Sequence, residues 1–165
     1  MTGKLLFDGA KCSACGACAV ACMDQNDIDT DSGQVPYIRA VCREEGLRFE
    51  YIARMCLHCT VPPCADACPQ QCLYKDRQTG LTLYDNTACV GCGCCAVACP
   101  HGAITFRKTP DGPSRGRMEK CDACHIRQEA GLLPACVRAC PTGALRLSCT
   151  GPMPDKSDDF ERKRK

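Results

Sequence analysis

The chain has no tryptophan and only four phenylalanines and four tyrosines among 165 residues. Aromatic side chains supply much of the buried area in ordinary cores, so this chain lacks the usual means of building one. The apolar content of 45% does not repair the deficit, because the 20 cysteines are counted within it. Without them about a third of the chain is apolar, and a core that thin does not offset chain entropy by burial alone at this length. Long apolar runs are also missing, and none approaches the ~20 residues of a membrane-spanning helix. Neither sign of charge is in excess: 21 Lys and Arg stand against 19 Asp and Glu, for a net +2. That balance gives no electrostatic footprint for nucleic acid. The N-terminus does not read as a secretory signal, since Met1 is followed by one Lys and by only Leu5, Leu6 and Phe7 before Asp8. A cytoplasmic location is the expectation.

What the chain does have is cysteine, at about one residue in eight, a density that in a secreted chain would mean a disulfide scaffold. The thiols, however, come in tight C-x2-C groups rather than spread over loops, which points to metal. The run Cys89-Val-Gly-Cys92-Gly-Cys94-Cys95-Ala-Val-Ala-Cys99-Pro100 follows the ligand run of bacterial ferredoxins, whose fourth Cys serves the other cluster of a pair. Thiolates two residues apart let a short loop wrap three corners of a cubic cluster, provided the intervening residues are small. Glycine also admits the positive-φ turns of such a wrap. Cys99 then follows on a short Ala-Val-Ala helix that Pro100 ends, because proline cannot continue the hydrogen-bond ladder.

Three further groups share the plan. Cys12, Cys15, Cys18 and Cys22 keep the spacing, with Met23 in place of proline, so the helix begun at Cys18 continues toward Asn26. Cys56, Cys59, Cys64 and Cys68-Pro69 widen the second gap to four residues, stiffened by Pro62-Pro63. Cys121, Cys124, Cys136 and Cys140-Pro141 place eleven residues of mostly helical character, His125 to Ala135, between the second and third thiols. Strands are expected at Lys4–Asp8, Ile104–Arg107 and Ala144–Leu147. Hairpins are expected from Val35–Arg43 with Leu47–Arg54, and from Leu73–Lys75 with Leu81–Tyr84. Residues 27–34 and 108–117 read as loops, and 150–165 as a flexible polar tail.

Sixteen grouped thiols make four sets of four, hence four [4Fe–4S] clusters. Cys42, Cys72, Cys94 and Cys149 are left over as buried or free thiols, the x2-x2-x3 register choosing Cys95 over Cys94. Groups two and three are separated by a hairpin's length and form one unit; groups one and four pair around it. With last cysteines exchanged, the expected sets are Cys12, Cys15, Cys18 with Cys140; Cys56, Cys59, Cys64 with Cys99; Cys89, Cys92, Cys95 with Cys68; and Cys121, Cys124, Cys136 with Cys22. The fold class is α+β, two nested ferredoxin-like units of short strands, hairpins and short helices. Residues 1–47 and 108–149 form the outer unit, and 48–107 the inner. Cys121-Asp-Ala-Cys124-His125 also matches a c-type haem attachment site, but its thiols complete an iron–sulfur set, and His125 reads as capping or solvating the next helix. A zinc-knuckle reading of the C-x2-C pairs leaves the groups at Cys12 and Cys89 unexplained. His58, between two ligands, is expected to orient a loop or to hydrogen-bond toward its cluster.

With its four groups in this order, and with Met118-Glu-Lys-Cys121-Asp-Ala-Cys124 and Ala139-Cys140-Pro141-Thr-Gly-Ala144-Leu145, the chain from about residue 3 to 149 resembles the four-cluster iron–sulfur subunits of molybdopterin and tungstopterin oxidoreductases, the dimethyl sulfoxide reductase type. The resemblance implies pairing of group one with four and of two with three. It also implies an electron-transfer subunit, not an enzyme by itself, relaying single electrons between a catalytic pterin subunit, of formate dehydrogenase or aldehyde oxidoreductase type, and a further redox subunit or ferredoxin. Some relatives replace a ligand by Trp; this chain has Cys at all sixteen places. Relatives are also exported bound to a signal-bearing partner, the alternative to a cytoplasmic location. The alternative function is a free polyferredoxin shuttle or hydrogenase-linked carrier. End-to-end self-association into a longer wire is a further expectation; nucleic acid and a direct membrane span are not.

Overall fold

The computed structural model describes residues 3–46 and 48–148. Its elements are short, as the spacing of the cysteine groups requires. In chain order they are β1 (Lys4–Phe7), α1 (Ala17–Gln25), β2 (Arg39–Glu45), β3 (Arg48–Arg54), α2 (Pro63–Asp66), β4 (Leu73–Lys75), β5 (Thr82–Tyr84), α3 (Cys94–Ala98), β6 (Ile104–Arg107), β7 (Arg117–Lys120), α4 (His125–Glu129), α5 (Ala135–Ala139) and β8 (Leu145–Ser148). The mixture of small helices and small sheets is α+β, as expected from the sequence.

Four antiparallel two-stranded sheets organise the described residues. Three are local hairpins, β2–β3, β4–β5 and β6–β7. The fourth joins the ends of the described chain: β1 pairs with β8, Leu5 opposite Leu147 and Phe7 opposite Leu145. The alternation in β8, with Leu145 and Leu147 buried and Arg146 exposed, is the period-2 pattern of a strand with one face covered. Helix α1 packs against α5 on the same side, so the first and fourth cysteine groups are neighbours.

The mostly helical stretch from His125 to Ala135 is divided: α4 ends at Glu129, Gly131 turns the chain at φ +75°, and Pro134 precedes α5. Proline at that position starts a helix rather than extending one. The expected loop at 108–117 holds as far as Gly116, and Arg117 opens β7, which pairs with β6, Ile104 opposite Lys120. The expected strands and both hairpins are present within a few residues of their predicted bounds. Cys149 and the tail lie outside the described residues.

The core is built partly from thiols. Cys22, Cys56, Cys121 and Cys136 stand among Leu5, Ile38, Met55, Val137, Leu145 and Leu147 in the main cluster. A second cluster gathers Cys64 and Cys95 with Leu73 and Met118, and a third is Leu81, Leu83 and Ala123.

Candidate metal centres

Each cysteine group begins with the same backbone device. The residue just before the second Cys is left-handed in all four: Ala14 (φ +52°), His58 (+47°), Gly91 (+68°) and Ala123 (+59°). This turn folds the loop back on its first thiol. Ala14 N–H donates to Cys12 Sγ at 3.3 Å, and Ala123 N–H to Cys121 Sγ at 3.3 Å. Only at Gly91 does glycine fill the position, and there a side chain is barred twice over, since a Cβ would lie 2.8 Å from the Gly116 carbonyl.

The third thiol of each group lies in a helix, and the fourth lies in it, caps it or, for Cys68, follows the Ala67 cap of α2. Cys18 and Cys22 lie in α1, Cys64 in α2, Cys95 in α3 and Cys136 in α5, while Cys99 and Cys140 are the C-terminal caps of α3 and α5. Where proline ends the helix, the chain returns a backbone donor to the last thiol. These donors are Cys72 N–H to Cys68 Sγ (3.3 Å), Ala103 N–H to Cys99 Sγ (3.5 Å) and Leu145 N–H to Cys140 Sγ (3.5 Å). In group one Met23 replaces proline, α1 continues, and the Asn26 N–H caps the Cys22 and Met23 carbonyls instead. There the Asn26 side chain supplies a donor, Nδ2 to Cys22 Sγ at 3.5 Å, beside backbone donors from Tyr37 and Ile38. Hydrogen bonds of this kind lower the charge density on a ligating sulfur and raise the potential of the cluster it holds.

Three of the four expected sets line cavities. Cys56, Cys59 and Cys64 meet Cys99 around one cavity. Cys121, Cys124 and Cys136 meet Cys22 around a second. Cys89, Cys92 and Cys95 meet Cys68 around a third, with Cys72 as a fifth thiol. The remaining set does not line any of these three. Cys12 is close enough to Cys18 to push that thiol's pKa further up, burial being the larger cause, and Cys18 and Cys140 both pack on the main core.

Burial pushes Cys22 and Cys95 up to about 11 and Cys136 to about 12, with Cys121 well above the ordinary thiol range; neighbouring thiols add to each shift. Such thiols hold their protons unless a metal displaces them, so loading releases protons. The nineteen described cysteines are all free. Four soft thiols around a cavity, met by N–H donors, suit a polynuclear iron–sulfur cluster as a donor set.

Cys94 is exposed beside Cys92, and Cys42 is exposed on β2. Cys72, read from sequence as a spare thiol, is buried against the third cavity. His58 orients a loop, its Nδ1 accepting from Thr82 N–H at 3.1 Å, and burial followed by the charge of Lys120 lowers its pKa to about 3, so it is neutral. His125 Nδ1 lies 2.9 Å from Asp122 Oδ2 at the start of α4. Sequence reading passed over two lysines. Lys75 Nζ donates to the carbonyls of His58 (3.1 Å), Cys59 (2.6 Å) and Gly80 (2.7 Å), tying the second group's loop to the β4–β5 turn. Lys120 is buried beside the first cavity. A lysine in a polar sequence context carries no local sign of burial, which depends on what packs over it.

These loops, thiol-lined cavities and small sheets define an iron–sulfur protein of the ferredoxin-like kind. The family model for the 4Fe-4S dicluster domain matches residues 47–150. The formate dehydrogenase iron-sulfur subunit of Wolinella succinogenes is 35% identical over 86% of this chain and 78% of its own length. The B component of the anaerobic dimethyl sulfoxide reductase of Escherichia coli is 32% identical over 84% and 69%, and the thiosulfate reductase electron transfer subunit of Salmonella typhi 36% over 87% and 73%. The chain belongs to this family of iron–sulfur subunits, the dimethyl sulfoxide reductase type. Its role is electron transfer within an oxidoreductase, not catalysis on its own. Among the described residues no helix is long and apolar enough to cross a membrane.

Proposed function

We propose that the sixteen grouped cysteines hold four [4Fe–4S] clusters in the sets expected from the sequence, each combining three thiols of one group with the last thiol of another. The observation that carries this reading is the lining of three cavities by three-plus-one thiols. The pairing of β1 with β8 and the packing of α1 on α5 support two nested units, an outer one of residues 1–47 and 108–149 and an inner one of 48–107. Cys121 feels Cys56, and Cys136 feels Cys18, while Cys64 and Cys95 share a core cluster. Those contacts support a linear order of sites: the Cys89 set, the Cys56 set, the Cys121 set, the Cys12 set. Cys92 and Cys15, at its two ends, are exposed, as transfer of electrons into and out of the line requires.

In this reading the subunit relays single electrons between a catalytic subunit carrying molybdopterin or tungstopterin and a second redox partner. The protein ligates, spaces and tunes; it performs no bond chemistry. The test is metal analysis of the chain isolated anaerobically with whatever stays bound. About sixteen irons per chain with molybdenum or tungsten in the same peak is the expected result. Iron without either metal would favour a free shuttle or hydrogenase-linked carrier, and zinc in place of iron would sink the reading. The exchange of ligands has its own check, Cys68→Ser made in a Cys72→Ser background so that the adjacent thiol cannot substitute. The electron paramagnetic resonance signal of the Cys89 set should change first; a change confined to the Cys56 set would contradict the exchange.

A further inference from the structure

The cavity of Cys56, Cys59, Cys64 and Cys99 differs from the other two in what else faces it. Thr82, at the start of β5, and Lys120, at the end of β7, both line it, and each is only 1% exposed. Lys120 Nζ donates to the carbonyls of Thr82 and of Cys121, the latter at 2.9 Å, and stands 5.8 Å from the Tyr84 ring centroid. Among the described residues no carboxylate pairs with it. Carbonyls and a ring face solvate an ammonium without neutralising it, and an uncompensated buried charge is among the least tolerated features of a fold. Thr82 presents a second anomaly: its backbone N–H and carbonyl are both engaged, yet its buried Oγ1 has no partner. An unpaired buried hydroxyl at a cavity wall marks an acceptor that belongs inside the cavity.

The other cavities offer neither feature. The second is faced by the Asp122 carboxylate, with Asn26 and Tyr37. The third has Gln70 as its polar residue besides the thiols. A cation and a free O–H donor therefore face one site of the three, and a carboxylate faces its neighbour.

We propose that Lys120 and Thr82 are the potential-setting residues of the Cys56, Cys59, Cys64, Cys99 site and make it more readily reduced than the adjoining site of Cys22, Cys121, Cys124 and Cys136. The proposal rests on the cluster reading above. Reduction adds one electron, passed from a neighbouring site with no bond made or broken, and so adds one negative charge to a buried centre. Lys120 meets that charge with a fixed positive one, and the Thr82 O–H donates toward the sulfur that carries it; both stabilise the reduced form more than the oxidised form. Asp122 acts in the opposite sense on its own cavity. Electrons entering the line thus pool at the inner site beside Lys120.

The experiment is a redox titration followed by electron paramagnetic resonance on the full chain, isolated anaerobically with its partners, after iron has been counted. Cys99→Ser identifies the signal of this site. Thr82→Val keeps the side chain's shape and removes the donor. It should retain the wild-type iron content and move that one signal to lower potential, and Thr82→Ser should restore it. Lys120→Met should move the same signal further in the same direction. If Lys120→Met does not accumulate as folded protein, the Thr82 pair still decides. Full iron in Thr82→Val with an unmoved midpoint would overturn the proposal, as would a lower wild-type midpoint for this site than for its Cys121 neighbour. Wild-type protein without iron would instead overturn the cluster reading on which it stands.

Discussion

Ala14, His58 and Ala123 hold left-handed backbone that residues with a Cβ rarely adopt. A non-glycine residue there gives up about 1–2 kcal/mol, and at Ala14 and Ala123 the turn offsets the strain by bringing an N–H onto a thiol. At the exposed Ala14 the strain can be tested without disturbing the core. Ala14→Gly should be neutral or stabilising by up to about 1 kcal/mol, whereas Ala14→Val, with a β-branched side chain, should destabilise by about 2 kcal/mol. Denaturant unfolding of the loaded protein reads both, and a more stable valine variant would show that the loop is not strained. The sequence revealed which thiols belong together in a group, because spacing is covalent. It did not reveal that alanine and histidine take the turn position, since only glycine advertises a positive φ.

At the scale of elements, the β6–β7 hairpin shows how packing overrides local pattern. Arg117-Met-Glu-Lys120 is charged and short, and nothing in its composition separates it from the loop before it. It becomes a strand because Met118 is buried in the second core cluster and Glu119 joins two neighbours, Arg107 at 2.9 Å and the Tyr37 hydroxyl at 2.6 Å. The Met118 N–H also reaches Cys89 Sγ at 3.3 Å, so the hairpin is part of a cluster loop. Gly116 makes the pairing possible: its φ is +94°, and a Cβ would lie 2.6 Å from the Arg107 carbonyl. Gly116→Ala should therefore destabilise by about 2 kcal/mol or more and perturb the signal of the Cys89 set. Tyr37→Phe, which removes one hydrogen bond, should cost about 1 kcal/mol and leave that signal alone. Thermal unfolding with parallel spectra separates the two. The helix break between Glu129 and Pro134 has the same origin, in that Gly131 and Pro134 were visible as residues but the direction they impart was not.

At the scale of the whole molecule, the four two-stranded sheets and the helices of four to nine residues among the described residues amount to little that would stand alone, since an isolated hairpin is marginal in water. The thiols inside the core clusters are where metal would contribute to folding free energy. Stripping iron with a chelator under anaerobic, reducing conditions should therefore unfold the chain. The expected signature is loss of far-ultraviolet circular dichroism together with fast amide exchange in β1, β8 and α5. An iron-free chain that kept its exchange protection would show that the apolar core suffices.

The kind of chemistry, the four cysteine groups, the positions of most strands and the family could all be read in one dimension, because ligand type and spacing are local and survive there. Folding in three dimensions was needed to bring β1 onto β8, to make Asn26 a donor where α1 overruns its thiol, and to turn Lys120 and Thr82 toward one cavity and not another. Those choices join residues tens of positions apart, Thr82 to Lys120 and Leu5 to Leu147. They are made by which faces bury together when the chain closes, which no local pattern records.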